Sequence, residues 1–414
     1  MSSNSSTGYK IGLLILVAIA IAGISAWVYQ IQTGLIVTNM RNSFSWGLYI
    51  AMWAFFVGTA AGGLVVSSAI YIFGAKEFKP IAPVASSTAF IFAVGAMVMI
   101  LPDLGRIDRI FNMFLYPNFS SILPWDLIVL TTYALLSAIY TYVLLMPRIA
   151  EKGVLGLLKK DLDGDELKKL QLKSERYAKI LAPIALPFAI LIHTVTAWVL
   201  ATQLSRPWWY GGLLAPTFIA AAIATGPAVV ILACLFVFGY EERLKNAYKL
   251  LAKISASSSA ALLFMYYNDF VVRYWWGEGL DFEALAIVFR DYLHIHTLEI
   301  TFILASIVLL ASAKTKSRLI AGSISVNLGV FFHRFLLMPP SYNIFPFKMD
   351  GWSYPIAVGE LRGSLMNPLL VFVDYWNYIP SSIEITITAG IVAILTLVLI
   401  GLLRILPVEG DSNV

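Results

Sequence analysis

The sequence predicts an all-α, polytopic membrane protein of about ten transmembrane helices, and three observations lead there. Its residues are 59% hydrophobic and only 13% charged, about half the charged fraction of a soluble domain. Mean hydropathy is +0.80 over the whole chain. Long apolar stretches recur from end to end, each near the ~20 residues that an α-helix needs to cross the hydrocarbon core. No water-soluble fold would hide so many.

Apolar runs bounded by charge or by Gly and Pro place the spans at approximately 11–32, 46–74, 80–102, 125–147, 180–204, 209–239, 251–273, 290–313, 317–338 and 379–405. The first run has the look of a signal peptide, but no small-residue cleavage site follows it, and Trp27-Val28-Tyr29 reads as an interfacial belt. It is expected to be a retained helix. The chain is read as a single membrane domain over 1–414, with a first bundle at 46–204, a second at 209–338, flanking helices 11–32 and 379–405, and an outer loop 339–378.

The connections alternate in charge. Lys76 and Lys79, the run from Arg148 to Lys179, the cluster Arg243, Lys245, Lys249 and Lys253, and Lys314, Lys316 and Arg318 fall on one side with Lys10 and Arg404, about 20 of the 29 Lys and Arg. By the positive-inside rule that side and both termini are cytoplasmic, and the protein sits in the cell membrane with lipid as its surroundings. The net charge of +5 therefore reports topology, and no nucleic-acid partner is expected. The long connection from Glu151 to Lys179 interleaves charges on a helical period, as a solvated helical loop does, and can also dock a cytoplasmic partner. The opposite side is aromatic: Arg206-Pro207-Trp208-Trp209-Tyr210, Tyr274-Trp275-Trp276-Gly277, and a segment from Pro339 to Tyr378 with Trp352, Tyr354, Tyr375 and Trp376. Span-end Trp and Tyr are first of all interface anchors. A segment of about 40 residues is long enough to be a folded cap or docking surface.

The single cysteine, Cys234, lies in an apolar run. Intrachain disulfides are impossible, and a thiolate-held iron–sulfur cluster or structural zinc is excluded. With only four histidines, any cluster belongs to a partner, and no metal site is expected here.

Ionisable groups inside spans are costly and are functional candidates by default. Asp103 and Arg106 close the third span at i,i+3, a spacing that lets carboxylate and guanidinium face each other, and Asp126, beside Trp125, opens the fourth at the same level. A quinone site needs a flat apolar slot, hydrogen-bonding groups for the ring oxygens and a proton acceptor. Trp46, Asp103, Arg106, Trp125 and Asp126 supply these; an interfacial salt bridge that only fixes loop geometry is the plainer alternative. His193, flanked by Thr194 and Thr196, lies deep in the fifth span as a proton-relay candidate or a packed imidazole. Asp269, His294, His296, Glu299, His333, Arg334 and Glu384 form a second group, in which His296 and Glu299 share a face; proton path and packing glue both stay open. Proton transfer is assigned to His193, Thr196, His296, Glu299, His333 and Glu384. No residue is assigned covalent catalysis.

The small-residue run Gly58-Thr59-Ala60-Ala61-Gly62-Gly63 reads first as close helix packing. Gly226-Pro227 is expected to kink or locally unwind the sixth span, a feature that often lines a transport site.

Trp46-Gly-Leu-Tyr-Ile-Ala-Met-Trp-Ala-Phe-Phe-Val-Gly-Thr-Ala-Ala-Gly-Gly63 resembles the second span of the longer NrfD/polysulfide-reductase membrane subunits. Asp103-Leu-Gly-Arg106 is similar to their acidic-Leu-Gly-Arg signature. His193-Thr-Val-Thr-Ala-Trp198, Pro207-Trp208 and Ala215-Pro-Thr-Phe-Ile219 resemble their fifth-to-sixth span passage, and Tyr378-Ile-Pro-Ser-Ser-Ile-Glu384 the opening of the last span in the ten-helix branch. That branch occurs in the DsrMKJOP complex (as its DsrP subunit), Hme/Hmc-type complexes and alternative complex III. The resemblance implies two four-helix bundles with flanking helices and a quinol site near the outer face, served by menaquinone or a related quinone, with no haem or cluster in this chain. It further implies an adjacent ferredoxin-like [4Fe-4S] subunit on the outer face. Beyond that subunit it implies further redox subunits: a molybdopterin enzyme, a cytochrome c or a heterodisulfide-reductase-like protein. The expected function is a membrane-anchoring, quinone-reactive subunit of a respiratory oxidoreductase complex, in anaerobic or sulfur-linked respiration. A secondary transporter and a di-haem cytochrome b are the competing classes, the latter poorly served by the scattered histidines.

Overall fold

A computed structural model of the chain describes residues 3–41, 44–154, 157–160, 162–275, 277–343 and 378–408. Ten of its helices are long and apolar enough to cross a membrane. They are α1 (Ser3–Thr33), α2 (Leu48–Ile72), α3 (Ala82–Ile100), α4 (Ile122–Lys152), α5 (Gly164–Ala201), α6 (Leu214–Val237), α7 (Lys245–Trp275), α8 (Leu293–Ala311), α9 (Lys316–Leu336) and α10 (Ser382–Ile405). The chain is thus an all-α integral membrane protein.

The helix bounds follow local chemistry. α5 runs for 38 residues because Asp163 caps it, its side chain accepting from the Glu166 amide, and the charged stretch before Lys179 simply continues it. Most of the expected solvated loop is therefore the projecting first half of a span helix. The eighth span is shorter than expected: a separate helix, Gly279–Asp291, ends at Tyr292 before α8 begins. α10 starts in a capping box, in which Ser381 accepts from the Glu384 amide and Glu384 reaches back to the Ser381 amide.

α2, α3, α4 and α5 pack each against the next and back onto α2; α6, α7, α8 and α9 do the same. α2 carries the seam between these two sets, touching α6 and α9, while α1 and α10 pair with each other and α10 leans on α3. Burial tracks this arrangement: 83% of the α2 span is buried inside the protein, against 11% for α1. Lipid tails are as apolar as leucine, so association here rests on close backbone packing. At Gly62 on α2, a Cβ would lie 2.1 Å from the Cα of Gly226 on α6, so only hydrogen fits on either side. Within the run Gly58–Gly63, Gly62 and Gly63 are thus the close-packing positions, Gly63 against the Ala85 carbonyl of α3. α6 continues through Pro227 as one buried helix.

The α1–α2, α3–α4, α5–α6, α7–α8 and α9–α10 connections share one end of the bundle, rich in aromatics, and the remaining connections, rich in Lys and Arg, share the other. Residues 344–377, where a folded cap was expected with Trp352, Tyr354, Tyr375 and Trp376, lie outside the described residues.

Candidate functional site

Among the described residues, the buried Asp, Glu, His and Arg side chains lie in the half of the bundle nearer the aromatic end, and most of them fall into three clusters.

The first surrounds Asp103, Glu384 and Trp46. Tyr49 of α2 donates its hydroxyl to Gln30 Oε1 at 2.6 Å, and Gln30 donates to the Pro102 carbonyl at 2.7 Å, tying α1, α2 and the end of α3 together. The adjacent Asp103 carboxylate keeps Oδ1 buried with no hydrogen-bond partner among the described residues. Glu384, fully buried, accepts from the Tyr378 hydroxyl and from the Asn39 amide at 2.8 Å, and its charge reaches Asp103 and Tyr49. The Tyr378 phenol is held well above its ordinary titration range, by burial first and by the Glu384 carboxylate second. Around these groups stands an aromatic wall: Trp46 stacks on Trp209 (5.5 Å, 21°), Trp209 meets Tyr342 edge-on, and Phe44 stacks on Tyr378 at 4.5 Å. Trp209 is fixed by its indole N–H to the Leu337 carbonyl at 2.6 Å.

The second cluster joins α4 to α5. Asp126 is 5% exposed, and Thr196 donates its hydroxyl to Oδ1 at 2.6 Å. One turn deeper on α5, His193 is 1% exposed and both ring nitrogens lack a partner among the described residues. The flanking Thr194 turns to its own helix, bonding the Ile190 carbonyl.

The third cluster lies among α7, α8 and α9. Glu299 accepts from His296 Nδ1 and His333 Nδ1, each at 2.9 Å. Next to His333 in the chain, Arg334 is 0% exposed, with its guanidinium carbon 3.5 Å from the centroid of the Phe218 ring.

Several sequence expectations need correction. Arg106 does not face Asp103: it forks onto Asp108 at 2.8–2.9 Å on the surface, and the two shift each other, holding the Asp108 carboxyl below its ordinary value. The i,i+3 argument fails because the chain leaves helical geometry at Leu104, whose φ −76° and ψ 118° are extended. Trp125 is 46% exposed and bonds the Phe119 carbonyl, since consecutive helix residues point about 100° apart and Asp126 takes the inward direction. Asp103 and Asp126 share the aromatic end but have separate partners. Glu384 is not in the Glu299 network; His294 is exposed, and Asp269 pairs with Arg273 at 2.8 Å. Gln30, Tyr49, Trp209 and Tyr342 were not singled out as site residues. Gln30, one of two amides with Gln32 at the end of an apolar first span, was the detectable one.

No group of three or more metal-capable side chains among the described residues could hold a metal ion.

Comparison with known proteins agrees with this architecture. The family profile described as "Polysulphide reductase, NrfD" matches residues 36–346. A protein described as a dimethyl sulfoxide reductase membrane subunit, from Halobacterium salinarum, is 30% identical over 95% of this chain and 90% of its own length. A selenate reductase subunit of Mesobacillus selenatarsenatis is 24% identical over 98% of this chain and 95% of its own. The Hdr-like menaquinol oxidoreductase integral membrane subunit of Archaeoglobus fulgidus is 25% identical over 58% of this chain and 54% of its own. With about three quarters of its length under one family profile and two relatives matched nearly end to end, the chain belongs to the polysulphide reductase NrfD family.

Proposed function

We propose that this chain is the membrane-anchoring, quinone-reactive subunit of a respiratory oxidoreductase complex. It exchanges electrons between a menaquinol-type quinol and an iron–sulfur partner docked at the aromatic end, with a molybdopterin reductase or comparable redox subunit beyond it. The relatives' names support this reading: two are subunits of reductases for dimethyl sulfoxide and selenate, and one belongs to a menaquinol oxidoreductase. The observation that carries it in this structure is a pair of carboxylates at the end of the spans that also carries the aromatic wall: buried Asp126, bonded to Thr196, and half-buried Asp103, whose Oδ1 has no partner among the described residues. Oxidising a quinol releases electrons and protons together. The chain's task is to bind the flat ring, take the protons on fixed carboxylates and leave the electrons a short path out of the membrane.

In this reading Trp46 and Trp209 form the apolar wall, Asp103 and Asp126 are the acceptors for ring hydroxyl protons, and His193 stands behind Asp126 and Thr196. Arg106 and Trp125, on the surface nearby, belong to the face that a partner covers. The lysine- and arginine-rich end and both termini are cytoplasmic.

Quinol-analogue oxidation by membranes holding the intact complex tests the assignment. Asp103→Asn and Asp126→Asn are each expected to lower the rate at least about tenfold, the lower range for a positioned proton acceptor. Wild-type rates and inhibitor affinity in both variants would remove the quinone site from this end of the bundle.

A further inference from the structure

Among the described residues of α1, three are buried: Ala20, Gly23 and Gln30. The span as a whole is 11% buried, so little of it is held by the rest of the protein. Gly23 is a close-packing position, since a Cβ there would lie 2.4 Å from the Cα of Gly390 on α10. Gln30 lies two helical turns further along the same face, where a buried amide has to find partners for its donors and its oxygen. It finds them on two other elements. Nε2 donates to the Pro102 carbonyl at 2.7 Å, and Oε1 accepts the Tyr49 hydroxyl at 2.6 Å.

The Pro102 bond falls where the backbone needs one. α3 ends at Ile100 and passes into a single 3-10 turn, Leu101–Asp103, after which Leu104 is extended. A continuing helix would offer the Pro102 carbonyl the amide of Arg106, four residues on, but the extended residue between them breaks that register. The Gln30 amide takes its place. The residue after Pro102 is Asp103, whose Oδ1 has no partner among the described residues. No bond at Oδ1 aims this carboxylate, so its place follows from the turn that carries it. Tyr49, the other partner, is fully buried on α2, three residues after Trp46. One amide thus ties α1 to the segment that bears Trp46 and to the turn that bears Asp103.

We propose that Gln30 is a positioning residue for Asp103: by holding the Leu101–Asp103 turn against α2, it sets where the carboxylate meets a quinol hydroxyl. The chemistry rests on the function proposed above; the placement of the turn does not. In this role Gln30 touches no reacting atom. A proton acceptor works only within hydrogen-bond reach of the group it deprotonates, so a small displacement of the turn lowers turnover while the wall of Trp46 and Trp209 still binds the ring. A peripheral span thereby controls chemistry at the end of its neighbour. The plainer role, a bond that only fastens α1 to the bundle, predicts lost stability with turnover per assembled complex unchanged.

Quinol-analogue oxidation by membranes holding the intact complex, normalised to assembled complex, separates the two roles. Gln30→Met, close to glutamine in length and unable to make either bond, is expected to lower kcat at least about tenfold and leave KM unchanged. Gln30→Asn, whose shorter amide cannot span both partners, serves should Gln30→Met fail to assemble. Gln32→Leu, on the same turn and exposed, is the matched control and is expected to keep wild-type rates. In an Asp103→Asn background, Gln30→Met is expected to cost nothing further, because a positioning residue loses its effect with the group it positions. A full additional loss there, or wild-type kcat in Gln30→Met alone, overturns the proposal. Without quinol, the rate at which a hydrophobic carbodiimide labels Asp103 in the solubilised complex, read by mass spectrometry, reports the turn itself. That rate is expected to change severalfold in Gln30→Met and not in Gln32→Leu; equal labelling in both and in wild type overturns the proposal whatever the quinol activity. Altered labelling with wild-type turnover in Asp103→Asn would uphold the placement of the turn by Gln30 and count against the proposed function instead.

Discussion

Asp126 and Arg106 show how little sequence distance says about a charged side chain's work. Asp126 is separated by 70 positions from Thr196, which donates to it, and the pair is buried. Arg106 forks onto a residue two positions away on the surface, at 64% side-chain exposure. Removing a donor from a buried carboxylate leaves it unsatisfied, at a cost of about 1–3 kcal/mol, whereas a solvated ion pair contributes little. Thr196→Val, nearly isosteric, is therefore expected to lower the thermal midpoint of the detergent-solubilised protein by several degrees, and Arg106→Gln to leave it unchanged. Equal midpoints for Thr196→Val and wild type would show that Asp126 finds another donor.

Between helices, packing turns on absent side chains. α2 and α6 meet where Gly62 faces Gly226, and a Cβ on Gly226 would stand 2.2 Å from the Gly62 Cα. Four residues earlier, a Cβ on Gly58 would meet nothing within 4 Å. Gly226→Ala has to push the helices apart, which costs about 1–3 kcal/mol as overpacking. Gly58→Ala gains up to roughly 1 kcal/mol of helix propensity with no clash. The two substitutions are chemically identical, so thermal unfolding should separate them in sign. Destabilisation by both, to a similar degree, would contradict this packing of the seam.

Across the full bundle, the charge asymmetry of the two ends is the basis of the proposed orientation, which a labelling experiment reads directly. The lone cysteine, Cys234, is buried, so its background labelling is low. Asn118 at the aromatic end and Lys168 at the basic end are both exposed. An impermeant maleimide added outside intact cells is expected to modify Asn118→Cys and to reach Lys168→Cys only after permeabilisation. The reverse pattern would place the aromatic end, and the partner proposed there, in the cytoplasm.

Span number, span order and charge alternation were legible in the sequence because each rests on a local property: an apolar run of sufficient length, and cations that stay on one side. His296 and Glu299 were likewise legible as neighbours, since three residues on one helix share a face. The partners chosen between helices were not. In lipid every apolar face is equally at ease, so sequence hydrophobicity names no neighbour, and the choice falls to shape at places such as Gly62 and Gly226. For the same reason only the folded chain could bring His333 to Glu299, set Thr196 on Asp126, send Arg106 outward and lay Arg334 over the Phe218 ring. Composition and run length are enough to establish a ten-span helical membrane protein with polar groups at one end. Which of those groups meet is settled in three dimensions, because hydrogen bonds between spans form only after backbones separated by scores of residues have been brought within a few ångströms.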